Sequence, residues 1–294
     1  MSPYGQIDRR RALGSGRINP RCIIVTTLLL PAVALAQDDD DDATSSTDQF
    51  SAPFIDQVTG LQMERFFGAR TSFGFAFALP ESQSVAGGGA GAASFIGQLS
   101  FPLVGGEGWG ALGLTGEMEG NFILAVWPDG DGGVMASFRQ ATNEDNPPEV
   151  TGDFRVRPLP DGVSANDTSL LYTFLCENCL DSTLGLGPEA TGGDAVMGWA
   201  LSERPPRGDP ADPGATLGFH ERGFGPFTAR LGDARTTGFD AVAATALEPV
   251  PDSGNAVPAR PGAFEEGSGD EESGDEGVGG DESGDDSDFS DDDD

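Results

Sequence analysis

The stretch Phe73-Gly-Phe-Ala-Phe-Ala-Leu79 decides the fold. Large and small side chains alternate along it with period two. In an extended strand successive side chains point to opposite faces, so Phe73, Phe75, Phe77 and Leu79 share one face. Gly74, Ala76 and Ala78 share the other. Around it lie further short apolar runs bounded by Gly, Pro, Asp or Asn: Phe95 to Leu99, Phe122 to Trp127, Val134 to Phe138, Leu170 to Leu175 and Val196 to Leu201. Trp127-Pro-Asp-Gly-Asp-Gly-Gly-Val134 reads as a hairpin connection. Capped helical periodicity is hard to find, and 44 Gly with 21 Pro argue against a long-helix protein. The pattern predicts an all-β, immunoglobulin-like antiparallel β-sandwich.

The chain of 294 residues carries 49 Asp+Glu against 16 Lys+Arg, a formal charge of −33, and every base is arginine. The charge is unevenly placed. Asp38 to Asp42 is an acidic run, and Glu265 to Asp294 holds many acids and no base. Residues 43–264 keep a net charge of −16. An acidic surface cannot displace the counterions of a nucleic acid, and it is repelled by anionic lipid. Neither is expected as a partner.

Residues 1–36 read as a secretory signal. Arg9, Arg10, Arg11, Arg17 and Arg21 form a basic region, and Cys22 to Ala36 is an apolar stretch short for a bilayer span. Ala34-Leu35-Ala36 supplies the small residues that signal peptidase reads. A membrane anchor is the alternative, and the triple arginine only loosely suggests twin-arginine export. The expectation is a secreted, extracellular protein cut after Ala36, with no membrane span in the mature chain. Residues 37–50 then form an acidic disordered arm, 51–248 the folded unit, and 249–294 a linker and disordered Ser/Gly/Asp/Glu tail.

Chemistry is constrained first by histidine. His220 is the only one in the chain. A Ser-His-Asp triad would have to use it, and no Gly-x-Ser-x-Gly elbow is present. A zinc site would have to combine it with carboxylates or the two cysteines left after cleavage. Those two, Cys176 and Cys179, are spaced as a haem-attachment motif, but Leu180 stands where that motif needs histidine. A redox pair would want a βαβ context, so a short structural disulfide fits best. Gly108-Trp-Gly-Ala-Leu-Gly113 matches a dinucleotide fingerprint, yet the glycines that follow leave no helix to complete it. Asp129-Gly-Asp131 lacks the other ligands of a calcium loop and reads as a turn. Asn166-Asp-Thr168 is an N-glycosylation sequon.

Four stretches carry a resemblance. They are Gly74 to Pro80; Phe95-Ile-Gly-Gln-Leu99 leading to Pro102; Gly108 to Asn121 with Phe122 to Trp127; and Phe174 to Cys179 followed by Leu217-Gly-Phe-His220 and Gly223-Phe-Gly-Pro-Phe227. Their order resembles the haem-binding cytochrome domain of fungal cellobiose dehydrogenase, a DOMON-like iron reductase family. The resemblance implies a sandwich fold, a b-type haem between Met118 and His220, and a Cys176–Cys179 disulfide. Met/His ligation leaves low-spin iron with no open site, suited to passing single electrons. It also implies an extracellular flavin dehydrogenase as donor, and a copper polysaccharide monooxygenase or ferric iron as acceptor. Arg139, Arg230 and Arg235 are candidates for pairing with haem propionates. One departure is Glu117, directly before Met118 where the family has glycines. Another is the missing flavin domain, so the chain would not itself oxidise a sugar.

Two rival readings differ in class. A haem-free carbohydrate-binding or scaffolding module would use Trp109, Trp127 and Trp199 as stacking platforms. A surface protein would work through its acidic tail as a solvating or cation-collecting polymer.

Overall fold

The computed structural model describes residues 47–81, 94–141 and 146–260. The signal segment, most of the acidic arm and the acidic tail lie outside the described residues. In chain order the strands are β1 (Ala52–Ile55), β2 (Gln62–Gly68), β3 (Phe73–Pro80), β4 (Phe95–Pro102), β5 (Trp109–Gly113), β6 (Phe122–Pro128), β7 (Val134–Gln140), β8 (Val150–Thr151), β9 (Arg155–Ala165), β10 (Ser169–Glu177), β11 (Asp194–Ser202), β12 (Gly223–Arg230), β13 (Arg235–Thr236) and β14 (Val257–Pro258). One short helix, α1 (Phe239–Ala243), follows β13.

The strands form two main sheets. One runs β1-β2-β3-β4-β10-β9, with β13 beside the end of β3; the other runs β12-β11-β5-β6-β7. Every pairing along these two orders is antiparallel. The antiparallel β-sandwich read from the sequence is therefore the architecture, and each of the six apolar runs lies within a strand.

The alternation along β3 shows how the layers are built. Phe73, Phe75, Phe77 and Leu79 enter the core between the sheets, together with Phe66, Phe95, Phe101, Tyr172 and Phe174. The five-stranded sheet supplies Leu112, Leu124, Val126, Phe138, Met197, Leu201 and Phe227 to the same core. Phe227 stacks on Phe66 with ring centroids 4.4 Å apart. The small residues of β3 are buried as well. Ala76 and Ala78 face outward and pack with Met63, Ile96, Leu175 and Phe239, the first residue of α1. Large-in and small-out is thus the signature of a central strand with a second cover, since only small side chains leave room for that layer.

The chain from 249 to 260, expected to begin a linker, is docked instead. Val250 N–H donates to the Val156 carbonyl at 3.1 Å, and Ser253 binds Glu149 through its amide and its hydroxyl. β14 pairs in parallel with β8. Arg260 N–H donates to Gln140 Oε1 at 2.7 Å, and Gln140 Nε2 donates back to the Arg260 carbonyl at 2.9 Å. The Pro- and Gly-rich composition hides this, because much of the attachment is made by backbone groups, with only Val250 and Ala259 packing on the core. At the other end, Thr228 N–H donates to the Gln49 carbonyl at 2.7 Å, and Ser51 N–H to the Thr228 carbonyl at 2.9 Å. Residues 47–51 therefore belong to the fold.

Candidate functional site on the outer face of the five-stranded sheet

The strands that carry the site residues lie side by side. β5 pairs with β11 so that Gly113 faces Gly198, Ala111 faces Ala200 and Trp109 faces Ser202. β6 adds Ala125 opposite Ala111. Trp109, Ala111, Ala125 and Trp127 point away from the core and form an outer cluster with Ala200, Ile123 and Met135. The middle of this outer face is therefore a floor of glycine and alanine. Tryptophans stand at its margins.

Two loops close over that floor from opposite ends of β5. The β5–β6 loop carries Met118, which is half-buried, and folds back over the Gly113 end. Close approach requires glycine here. A Cβ on Gly113 would lie 2.2 Å from Asn121 Nδ2, one on Gly198 2.8 Å from the Thr115 carbonyl, and one on Gly116 2.6 Å from Val196 Cγ1. Asn121, itself buried, holds the loop in shape. Its Oδ1 accepts from Thr115 N–H at 3.1 Å, and its Nδ2 donates to the carbonyls of Thr115 at 3.0 Å and Glu117 at 2.6 Å. Nothing in sequence spacing marks Asn121 as the organiser of the Met118 loop. The only hint is a buried-type position in a Gly-rich turn. Asn121→Ala is expected to cost about 2 kcal/mol, because the Thr115 and Glu117 carbonyls lose their donor. It should also raise amide exchange across 114–120, which hydrogen-exchange mass spectrometry would read. Glu117 points its carboxylate into solvent, so the departure at that position falls outside the loop's packed side.

The second loop leaves β11 at the Trp109 end and returns to β12 through His220. His220 is half-buried among rings: Phe224 at 4.4 Å, Phe219 at 4.6 Å and Trp109, edge-on, at 6.4 Å between centroids. Burial pushes its pKa below the usual 6.5, so the neutral imidazole with a free lone pair prevails at neutral pH. Its buried Nδ1 and the buried Nε1 of Trp109 have no hydrogen-bond partner. Buried polar atoms are seldom left this way, so the orphaned pair marks a place where a further group fits.

A neutral imidazole, a thioether on the facing loop and a floor without bulky side chains form a donor set and a cradle that suit haem. Among the described residues no group of three or more His, Cys, Asp or Glu could hold a bare metal ion.

The remaining candidates sort as follows. Cys176 and Cys179 form the expected disulfide, closing the turn after β10 with Cα atoms 5.7 Å apart. Asn166 is exposed in the β9–β10 turn, where its Oδ1 accepts from Thr168 N–H at 2.9 Å. Gly108 to Gly113 runs into β5 rather than a helix, so the dinucleotide fingerprint is absent. Asp129 Oδ1 caps a turn through Asp131 and Gly133 amides.

Two expectations are corrected. The tryptophans do not make an exposed sugar platform: Trp109 and Trp127 are 3% and 0% exposed. Trp199 turns inward onto Phe73 and Phe66 at 5.3 and 6.1 Å. Nor are the three arginines available to propionates. Arg230 binds the Ser51 carbonyl and lies 3.6 Å from Glu64. Arg235 binds Pro80 and Thr191 carbonyls. Arg139 is buried and fully occupied with backbone carbonyls and Ser137.

Comparison with known proteins identifies the family. A family model, the cytochrome domain of cellobiose dehydrogenase, matches residues 54–241. The cytochrome domain of Myriococcum thermophilum cellobiose dehydrogenase is 27% identical at a TM-score of 0.58, over 68% of this chain and 98% of that one. The cytochrome b domain of pyranose dehydrogenase from Coprinopsis cinerea is 31% identical at a TM-score of 0.58, over 69% of this chain and 100% of that one. A curated pyrroloquinoline quinone-dependent pyranose dehydrogenase from Coprinopsis cinerea is 32% identical over 186 residues, or 63% of this chain. The match spans 24% of that much longer relative. With the matched span covering both loops and the whole floor between them, the chain belongs to the family of cellobiose dehydrogenase cytochrome domains.

Proposed function

We propose that this chain is a b-type cytochrome that carries single electrons between extracellular redox partners, with Met118 and His220 as the axial ligands. The observation that carries the reading is His220. It is the chain's only histidine, neutral, ringed by aromatics and left with an unpaired buried nitrogen, at the rim of a Gly/Ala floor whose far end is covered by the Met118 loop.

Haem bound there supplies reversible one-electron exchange between ferric and ferrous iron. The chain's own residues do the rest. Ala111, Gly113, Ala125, Gly198 and Ala200 keep the floor of the outer face low beneath the two loops. Trp109, buried beneath His220, and the exposed rings of Phe219 and Phe224 beside it flank the imidazole. Asn121 and the glycines at 113, 116 and 198 fix the path of the Met118 loop. Met118 and His220 would hold the haem iron, and a thioether with an imidazole would favour its ferrous form relative to two nitrogens.

The finer assignments belong to the same proposal, and the relatives' names support only the sugar-dehydrogenase donor. The donor is a flavin- or quinone-dependent sugar dehydrogenase, and the acceptor a copper polysaccharide monooxygenase or ferric iron. The segment 1–36 directs secretion, and Asn166 accepts a glycan. Reconstituting the protein with hemin and recording oxidised and dithionite-reduced visible spectra tests the central claim. The expected result is stoichiometric uptake and a low-spin, six-coordinate spectrum in both states. Failure to take up hemin, or a high-spin spectrum, would refute it.

A further inference from the structure

Arg139 is an unusual cation. It is 1% exposed on the outer side of β7; among the described residues no carboxylate pairs with it directly, while Glu149 and Asp212 lie near enough to favour its charge. Its donors all go elsewhere. Nε donates to Ser137 Oγ at 2.8 Å and Nη1 to the Pro147 carbonyl at 3.3 Å, while Nη2 donates to the carbonyls of Pro213 at 2.5 Å and Ala215 at 2.7 Å. The guanidinium lies 5.8 Å from the Trp127 ring, and Trp127 Nε1 donates to the Pro210 carbonyl at 2.9 Å. Burial pulls its pKa down to about 10 against the opposing pull of Glu149 and Asp212.

The held segment leads straight to His220. Arg207 and Thr216 bond to each other through both amides at 2.8 and 3.0 Å, closing the loop that Arg139 and Trp127 pin from below. Leu217 is then pressed onto the outer cluster, and His220 follows three residues later. The other side is anchored too. Glu221 accepts from Ser202 Oγ at 3.1 Å and from Glu203 N–H at 3.0 Å, and Arg222 N–H donates to the Leu201 carbonyl at 3.2 Å. His220 thus hangs between two fixed points.

We infer that Arg139, aided by Trp127, is a positioning residue for the proposed ligand His220: it fixes the backbone of 210–215 so that the imidazole is presented to the outer face in one orientation. This rests on the reading of His220 as an iron ligand. Groups bonded directly to a metal's ligands change metal affinity by about 10–100-fold when removed, and a support acting through the backbone, as Arg139 does, is expected at the low end of that range.

The test uses the full chain loaded with hemin. The rate of haem loss to excess apomyoglobin is measured well below the melting temperature, alongside the spectrum and hydrogen exchange over 207–222. Arg139→Met is expected to lose haem at least ~10-fold faster, with a growing high-spin fraction. Trp127→Phe, which removes one hydrogen bond and keeps the ring, should show a smaller increase in the same direction. Arg139→Lys should fall between Arg139→Met and wild type. If the folded variants lose haem at the wild-type rate with an unchanged spectrum, the inference is wrong even though the cytochrome reading stands. Should Arg139→Met fail to fold, Arg139→Lys and Trp127→Phe decide by the same criterion. If wild-type protein takes up no hemin, the cytochrome reading falls and this role falls with it.

Discussion

Gly97→Val is expected to destabilise the domain by about 3 kcal/mol, lowering the melting temperature by roughly 10 °C. Gly97 lies in β4 directly opposite Phe174 of β10 and Phe77 of β3. The Phe174 ring lies across it, and a Cβ there would come within 2.4 Å of Phe174 Cζ and 2.9 Å of Cε2. The ring has nowhere to go. It is 0% exposed, 6.1 Å from Phe95 and 5.4 Å from Tyr172. An added side chain must push aromatic core residues off their rotamers, and such overpacking is felt because interiors are close-packed. Gly192→Ala is the matched control, since a Cβ at Gly192 meets nothing within 4 Å. Thermal denaturation of the two variants followed by circular dichroism would check this. A Gly97→Val protein melting with the control would show that the core yields here.

The same core explains how far the sequence could be read. The central strands β3, β4, β6, β10 and β11 announce themselves as apolar runs, and so does β7 at the edge of its sheet, whereas β5, central but built as Trp-Gly-Ala-Leu-Gly, does not. The edges β9 and β12 do not either. β9 contains Pro158, Pro160, Asp161 and Gly162, which read as a turn, and it survives as a strand because it lies at the edge of its sheet beside β10. β12 carries Gly225 and Pro226 for the same reason, at the edge beside β11. Turn-forming residues weaken a strand by their local preference, and pairing with a preformed neighbour outweighs that preference.

The site was legible in a different way. Met118 and His220 stand out only through the order of motifs around them, since neither spacing nor composition brings residues a hundred positions apart to one face. Register does that, through Gly113 opposite Gly198. The supporting residues were not legible at all. Asn121 and Arg139 act on backbone carbonyls, and carbonyls have no sequence signature. Propionate pairing is a reasonable expectation for an arginine until the fold shows Pro213 and Ala215 already occupying its donors.

If the proposed ligation is right, His220→Ala and Met118→Leu should have unequal effects. An imidazole nitrogen binds iron strongly, and no second histidine exists to replace it. His220→Ala should therefore weaken hemin uptake by more than about 100-fold, above the range seen when only a ligand's supporting partner is lost. Met118→Leu nearly conserves volume and keeps the loop's apolar contact. It should bind hemin through His220 but give a high-spin ferrous spectrum and a lower reduction potential, since a thioether favours the ferrous state. The decisive control is another methionine. Of the chain's five, Met63 and Met197 are 1% and 2% exposed within packed clusters, whereas Met135 sits on the outer face opposite Trp127. Met135 is thus the one rival thioether among the described residues. Spectroelectrochemical titration of Met118→Leu and Met135→Leu separates them. A low-spin spectrum and unchanged potential in Met118→Leu, with loss of both in Met135→Leu, would move the sulfur ligand from the β5–β6 loop to β7.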